Sequence, residues 1–141
     1  MLQIVLLGYW LTIELVDLSP WNDLAARPGG YDLARSVALN ALPQLGFMFL
    51  FSLGTRVTAT AAALGYGVYL AVQLWIWWKP VVWLSDTDWA ARYAELYSRT
   101  VKVVPPDLLS LAPDAQHIAL QALTLATLLV TLKAASRMRY L

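Results

Sequence analysis

Cysteine is absent from all 141 positions, which excludes disulfide staples, thiol nucleophiles, iron–sulfur clusters and the paired-thiol chemistry of quinone-linked redox enzymes. Charge is scarce too. Only 13% of residues are Asp, Glu, Lys or Arg, against about 25% in an ordinary soluble domain. The formal net charge is +1 and no basic patch carries interleaved aromatics, so nucleic acid is not an expected partner. Histidine occurs once, at His117. No HxxxH or HxxE pair is present, the one carboxylate-x-x-His spacing is 114-DAQH-117, and no metal centre is expected. GxSxG, the Walker loop and the dinucleotide fingerprint are missing as well. No apolar run presents an obvious serine to His117, which argues against serine nucleophiles. The residues name no cofactor.

What the chain does have is apolar surface, at 60% of residues. So short a chain cannot hide that much in a water-soluble core. The excess falls in four runs: Leu2 to Val16, Ala34 to Leu53, Val57 to Trp78 and Ala115 to Leu132. A bilayer span takes roughly 20 residues, with a lower limit near 17. The expected fold is an all-α integral membrane protein, a single transmembrane domain over residues 1–141. It is an antiparallel four-transmembrane-helix bundle with spans at about 2–18, 33–53, 57–79 and 113–136. The first run is marginal in length. It lacks the basic flank and small-residue cleavage site of a secretory signal, and is read as a helix of the mature protein.

Punctuation between the runs supports this division. Ser19 and Pro20 read as an N-cap and first helical position for a short turn that ends before 28-PGG-30. Asp32 is placed to cap the second span. Pro43, inside it, frees the carbonyl of Leu39. The connection 54-GTR-56 allows only a tight turn, so spans two and three are antiparallel neighbours. Ala59, Ala63, Gly67 and Ala71 form a small-xxx-small row for helix contact on the third span. At its end, Trp75, Trp77, Trp78 and Trp83 surround Lys79 and Pro80, a composition typical of a membrane–water boundary.

Residues 86–104 then turn amphipathic. Trp89, Tyr93, Leu96, Tyr97 and Thr100 fall on one side. Arg92, Glu95, Arg99 and Lys102 fall on the other, with Glu95 and Arg99 as an i, i+4 pair. This predicts an interfacial helix between spans three and four, ended by Pro105 and Pro106. Arg56, Lys133, Arg137 and Arg139 stand without acids in the short turn and the tail. Their density favours both termini in the cytoplasm, with loops one and three outside.

Polar residues inside apolar spans are costly, so they are the candidates for function. On the fourth span Asp114, His117, Gln121, Thr124 and Thr131 share one helical stripe. On the first, Gln3, Leu7, Trp10, Glu14 and Asp17 do the same. The second contributes Asn40 and Gln44, and the third Tyr66, Tyr69, Gln73 and Trp77. At 1.5 Å per residue, Glu14 and His117 each lie roughly 6 Å below the loop side, with Asn40 and Gln73 about 10 Å down. Apart from Gln3, the polar set occupies the half facing loops one and three.

This predicts a polar cavity open to the loop side and roofed by the amphipathic helix. Glu14 and His117 are its candidate acid–base pair, and Asp17, Asn40, Gln44, Gln73, Trp77, Asp114 and Gln121 its candidate ligand contacts. A carboxylate and an imidazole within reach of each other can move a proton. The expected ligand is amphipathic or lipid-like, such as a lipid or a quinone. Two other readings fit the same residues: a non-catalytic accessory subunit of a larger membrane complex, and a homo-oligomeric channel or proton path. The half away from loops one and three, holding little beyond threonines, argues against the channel.

Overall fold

The computed structural model describes residues 1–27, 30–82, 87–105, 107–109 and 111–138. Trp83, Pro106 and Arg139, and the side chains of Pro80 and Trp89, lie outside the described residues. Among the described residues there are five α-helices: α1 (Leu2–Leu15), α2 (Leu33–Ser52), α3 (Arg56–Val82), α4 (Thr87–Tyr97) and α5 (Ala115–Arg137). No strand occurs among the described residues. Among the described residues, three helices, at Leu33–Ser52, Arg56–Lys79 and Ala115–Arg137, are long and apolar enough to cross a membrane. α1 is not: its 14 residues reach about 21 Å, short of the roughly 30 Å hydrocarbon core.

The first span was expected to run to residue 18, and one side chain explains why it stops at Leu15. Asn22, 1% exposed, donates to the carbonyls of Ile13 (2.7 Å) and Val16 (2.8 Å) and accepts the N–H of Leu18 (2.6 Å). With those carbonyls taken, the ladder cannot continue, and Val16 is extended. Ser19 and Pro20 do not begin a helix either. Asp17 accepts the Ser19 N–H at 3.1 Å, closing a local turn. The short 3-10 turn falls at Leu24–Ala26, before residue 28 as expected.

Asp32 caps α2 through the Arg35 N–H at 2.9 Å, as its position predicts. Around Pro43, the amides of Asn40 and Gln44 donate to the carbonyls of Ser36 (2.9 Å) and Asn40 (3.2 Å). Gly54 turns the chain into α3 with φ +72, a conformation that favours glycine.

On α3 the small-residue row is only partly a contact. Ala59 and Ala63 are fully buried, Gly67 lies half-buried beside Leu128, and Ala71 is exposed. A four-residue step overshoots the helical turn by about 40°, so the row rotates off the packed face. Ala62, Tyr66 and Gln73 complete the buried face instead.

α4 ends at Tyr97, well before residue 104. Thr100 caps it, its hydroxyl and N–H both donating to the Tyr97 carbonyl (2.9 and 3.3 Å). The chain then runs extended. Val101 donates to the Pro20 carbonyl at 3.0 Å, Ala115 donates to the Val101 carbonyl at 2.8 Å, and Lys102 bridges Asp114 antiparallel. Loop three is thereby stitched to loop one and to the start of α5. Tyr93 and Thr100 are buried while Arg92 and Glu95 are exposed, so the amphipathic division holds there. Arg99, however, pairs with Asp23 at 2.6 Å rather than with Glu95. Lys102 leaves the charged face and lies 4.7 Å over the Tyr93 ring, donating to its hydroxyl at 3.3 Å.

α5 begins at Ala115 rather than 113, because Asp114 is its N-cap and accepts the His117 N–H at 3.2 Å. The predicted stripe of Asp114, His117, Gln121, Thr124 and Thr131 is buried throughout.

Cross-links give the helix directions. Gln3 bonds Thr131 (3.3 Å) and Tyr9 bonds the Gln116 carbonyl (2.9 Å), so α1 runs antiparallel to α5. Gln73 bonds Thr124 (3.2 Å) and Trp78 bonds Gln121 (3.0 Å), setting α3 antiparallel to α5. Tyr69 meets Gln44 (3.4 Å) and the Phe47 and Tyr66 rings stand 5.0 Å apart, which does the same for α2 and α3. Leu6, Trp10, Ile13, Ala41, Tyr66 and Leu120 form the buried core.

Candidate functional site

A cavity of about 790 Å³ lies among α1, loop one, α2, α3, α4 and α5. Five of the expected residues line it: Glu14, Asn40, Gln73, Trp77 and His117. Four do not, and each is engaged elsewhere. Asp17 is exposed and closes its loop turn, and Gln44 reaches across to Tyr69. Gln121 accepts from the Trp78 indole, and Asp114 stands behind His117.

His117 is held on three sides. Its Nδ1 lies 2.5 Å from Oδ1 of Asp114, a residue with no exposed surface, and the other carboxylate oxygen accepts the Gln116 amide at 3.3 Å. The Trp77 ring lies over the imidazole, with centroids 3.5 Å apart and a 34° tilt. Tyr97 meets it edge-on at 5.1 Å. A carboxylate at Nδ1 favours a proton there, so Nε2 is the ring nitrogen left for another partner. Nε2 has no hydrogen-bond partner among the described residues.

The electrostatics follow from this burial. Desolvation raises the Asp114 carboxyl, but the hydrogen bonds and charge of His117 outweigh it and hold the group below its ordinary 3.8. Burial, and then the nearby Asp114 charge, push the Tyr93 and Tyr97 hydroxyls up. Burial lowers Lys102, with the Asp114 charge opposing. The site is an anion-centred dyad wrapped in aromatic rings.

Glu14 belongs to a second cluster. Its carboxylate accepts the Arg27 guanidinium at 3.1 Å and the Tyr31 hydroxyl, and Arg27 also lies 4.4 Å over the Tyr31 ring. The expected Glu14–His117 pair is thus two clusters facing one cavity, each with its own partner. Equal depth on two helices sets a common level but not a contact. Loop one folds back to supply the partner of Glu14. Between the clusters, Tyr69 donates to Asn40 at 3.1 Å and Gln73 bonds Thr124 at 3.2 Å.

Arg27, Tyr31, Asn22, Asp23 and Tyr97 line the cavity and were not assigned to it from the sequence. Tyr97 carried a signal, since it lies on the apolar side of the amphipathic segment. The loop-one residues obey no helical period and gave none. The roof is accordingly shared: Leu96 and Tyr97 of α4 lie beside Asn22, Asp23, Leu24 and Arg27 of loop one. Among the described residues, no group of three or more His, Asp or Glu gathers as a metal site.

Comparison with protein-family models, curated proteins and solved structures finds no match to this chain. The site is read from its own chemistry.

Proposed function

We propose that the chain is a multi-pass membrane protein, a four-helix bundle in which α1 is the short member, that binds a neutral amphipathic molecule in the cavity between its helices. The observation that carries this reading is the His117 dyad. Asp114 holds Nδ1 from behind and Trp77 covers the ring, so Nε2 is the nitrogen left for an occupant. The volume supports it, falling within the roughly 300–1,000 Å³ typical of small-molecule pockets. So does the lining, mostly apolar with a few convergent polar groups.

The arrangement also suits acid–base chemistry, with His117 as the proton-handling group and Asp114 as its positioning residue. Glu14 serves to hold loop one over the site through Arg27. The density of Lys and Arg puts both termini in the cytoplasm in this reading. As for an accessory-subunit role, Ala59 and Ala63, the strongest part of the small-residue row, are already buried within the chain.

Thermal unfolding in detergent, with and without ubiquinone-2 or monooleoylglycerol as probes, tests the proposal. The parent is expected to be stabilised by one of them and His117→Ala to lose that stabilisation while still melting cooperatively. If the parent responds to neither, or His117→Ala responds as the parent does, the reading fails.

A further inference from the structure

The cavity has two ends of different chemistry. At the inner end Trp10, Glu14, Asn22, Gln73, Gln116 and His117 are each more than nine-tenths buried. On the side between α2 and α3, residues that line the same cavity are open to the outside: Leu39 is 61% exposed, Val68 65%, Val72 48% and Ile76 45%. A residue that both lines a cavity and faces outward marks its mouth. Val68, Val72 and Ile76 recur every four residues and form a column along α3, opposite Leu39, Pro43 and Phe47 on α2.

The slot has a definite lower end. Phe47 lies directly on Gly65, where a Cβ would come within 2.3 Å of the ring. The two helices therefore close together at that level, and the cavity opens from there toward loop one. In the membrane reading of the preceding section, on which this inference rests, such a mouth faces acyl chains rather than water.

The inner end selects the head group by charge. Glu14 is paired with Arg27, Asp23 with Arg99, and Asp114 with His117. A phosphate or carboxylate would have to displace one of these partners, at the cost of leaving a buried charge uncompensated. A hydroxyl both donates and accepts, so it can bond Nε2 of His117 whether or not that nitrogen carries a proton, and it brings no charge of its own. We propose that a neutral, single-chain lipid alcohol reaches the cavity sideways from the bilayer, through the slot between α2 and α3. Its hydroxyl lies at His117 and its chain runs out along Leu39, Val68 and Val72.

The test uses the full chain in phosphatidylcholine nanodiscs with a monoacylglycerol whose acyl chain carries a diazirine, photolysed and mapped by mass spectrometry. Adducts are expected to concentrate on Leu39, Val68 and Val72, and to be competed by monooleoylglycerol but not by oleate or lysophosphatidic acid. Val72→Trp, which narrows the slot, is expected to lower labelling about tenfold. Leu39→Trp does the same from the opposite wall and serves if the first variant folds poorly. Leu64→Trp, at an exposed position outside the cavity, leaves labelling unchanged.

Labelling spread evenly over outward residues such as Leu42 and Leu64, or undiminished in both slot variants, overturns the sideways route. Equal competition by oleate overturns the neutral head group. A short water-soluble diazirine alcohol separates the two levels of the argument. If it labels Trp77 or His117 in Val72→Trp as in the parent while the long probe labels no slot residue, the pocket stands and the side route falls. If neither probe labels any cavity residue, the binding reading itself is wrong.

Discussion

Asp114→Ala is the most direct way to challenge the account of the site. The carboxylate has no exposed surface and accepts three bonds, from the His117 N–H (3.2 Å), the His117 ring (2.5 Å) and the Gln116 amide (3.3 Å). Loss of the helix cap costs about 1 kcal/mol, and loss of the charge-assisted bond about 2 kcal/mol. At roughly 3 °C per kcal/mol for a chain of this size, the melting temperature should fall about 10 °C. Asp114→Asn keeps the cap and loses the charge, so its drop should be about two-thirds of that.

The pH dependence adds a second check. Asp114 is held below 3.8 in the folded chain, so its contribution is complete above that value and is lost as pH falls through the lower folded value. Acidification below about pH 4 should therefore destabilise the parent more than Asp114→Asn. Thermal unfolding followed by near-ultraviolet circular dichroism reads both effects. A melting temperature for Asp114→Ala within about 2 °C of the parent, or matching acid limbs for parent and Asn variant, refutes the reasoning.

Other residues give independent tests. Asn22→Ala removes three bonds that end α1 and should cost about 2–3 kcal/mol, with faster deuterium exchange at residues 16–22; unchanged exchange there contradicts the capping role. Glu14→Gln keeps the Tyr31 contact but removes the carboxylate charge opposite Arg27, a partly exposed pair worth about 1 kcal/mol, and the loss should shrink in high salt when melting is compared across ionic strengths. Gly65→Leu drives Phe47 off its contact and should cost about 1–3 kcal/mol by overpacking; a melting temperature equal to the parent's would show that α2 and α3 do not close at that level.

The polar stripe on α5 was legible because contrast is high: a Gln, His or Thr repeated at three and four residues within an apolar run has few explanations other than a shared inward face. Asp32 was readable as a cap for a similar reason, since capping is local. The end of α1 was not. Its cause is Asn22, beyond the helix end, reaching back to Ile13 and Val16, and no periodic signal records such a bond. Thr100 stopped α4 ahead of the prolines by the same kind of side-chain contact. The partner of Glu14 was hidden for a geometric reason, because depth along a helix carries no information on where an intervening loop will fold.

The extended stretch at Val101 gives the outer surface an unusual mechanical property. It receives a bond from α5 through Ala115 and gives one to Pro20, so the two loops over the cavity are coupled in series. Lifting either one pulls on the other and on the helix turn that carries His117. Displacement at the roof would therefore be felt as a torque on the imidazole, while a guest passing between α2 and α3 leaves this linkage slack.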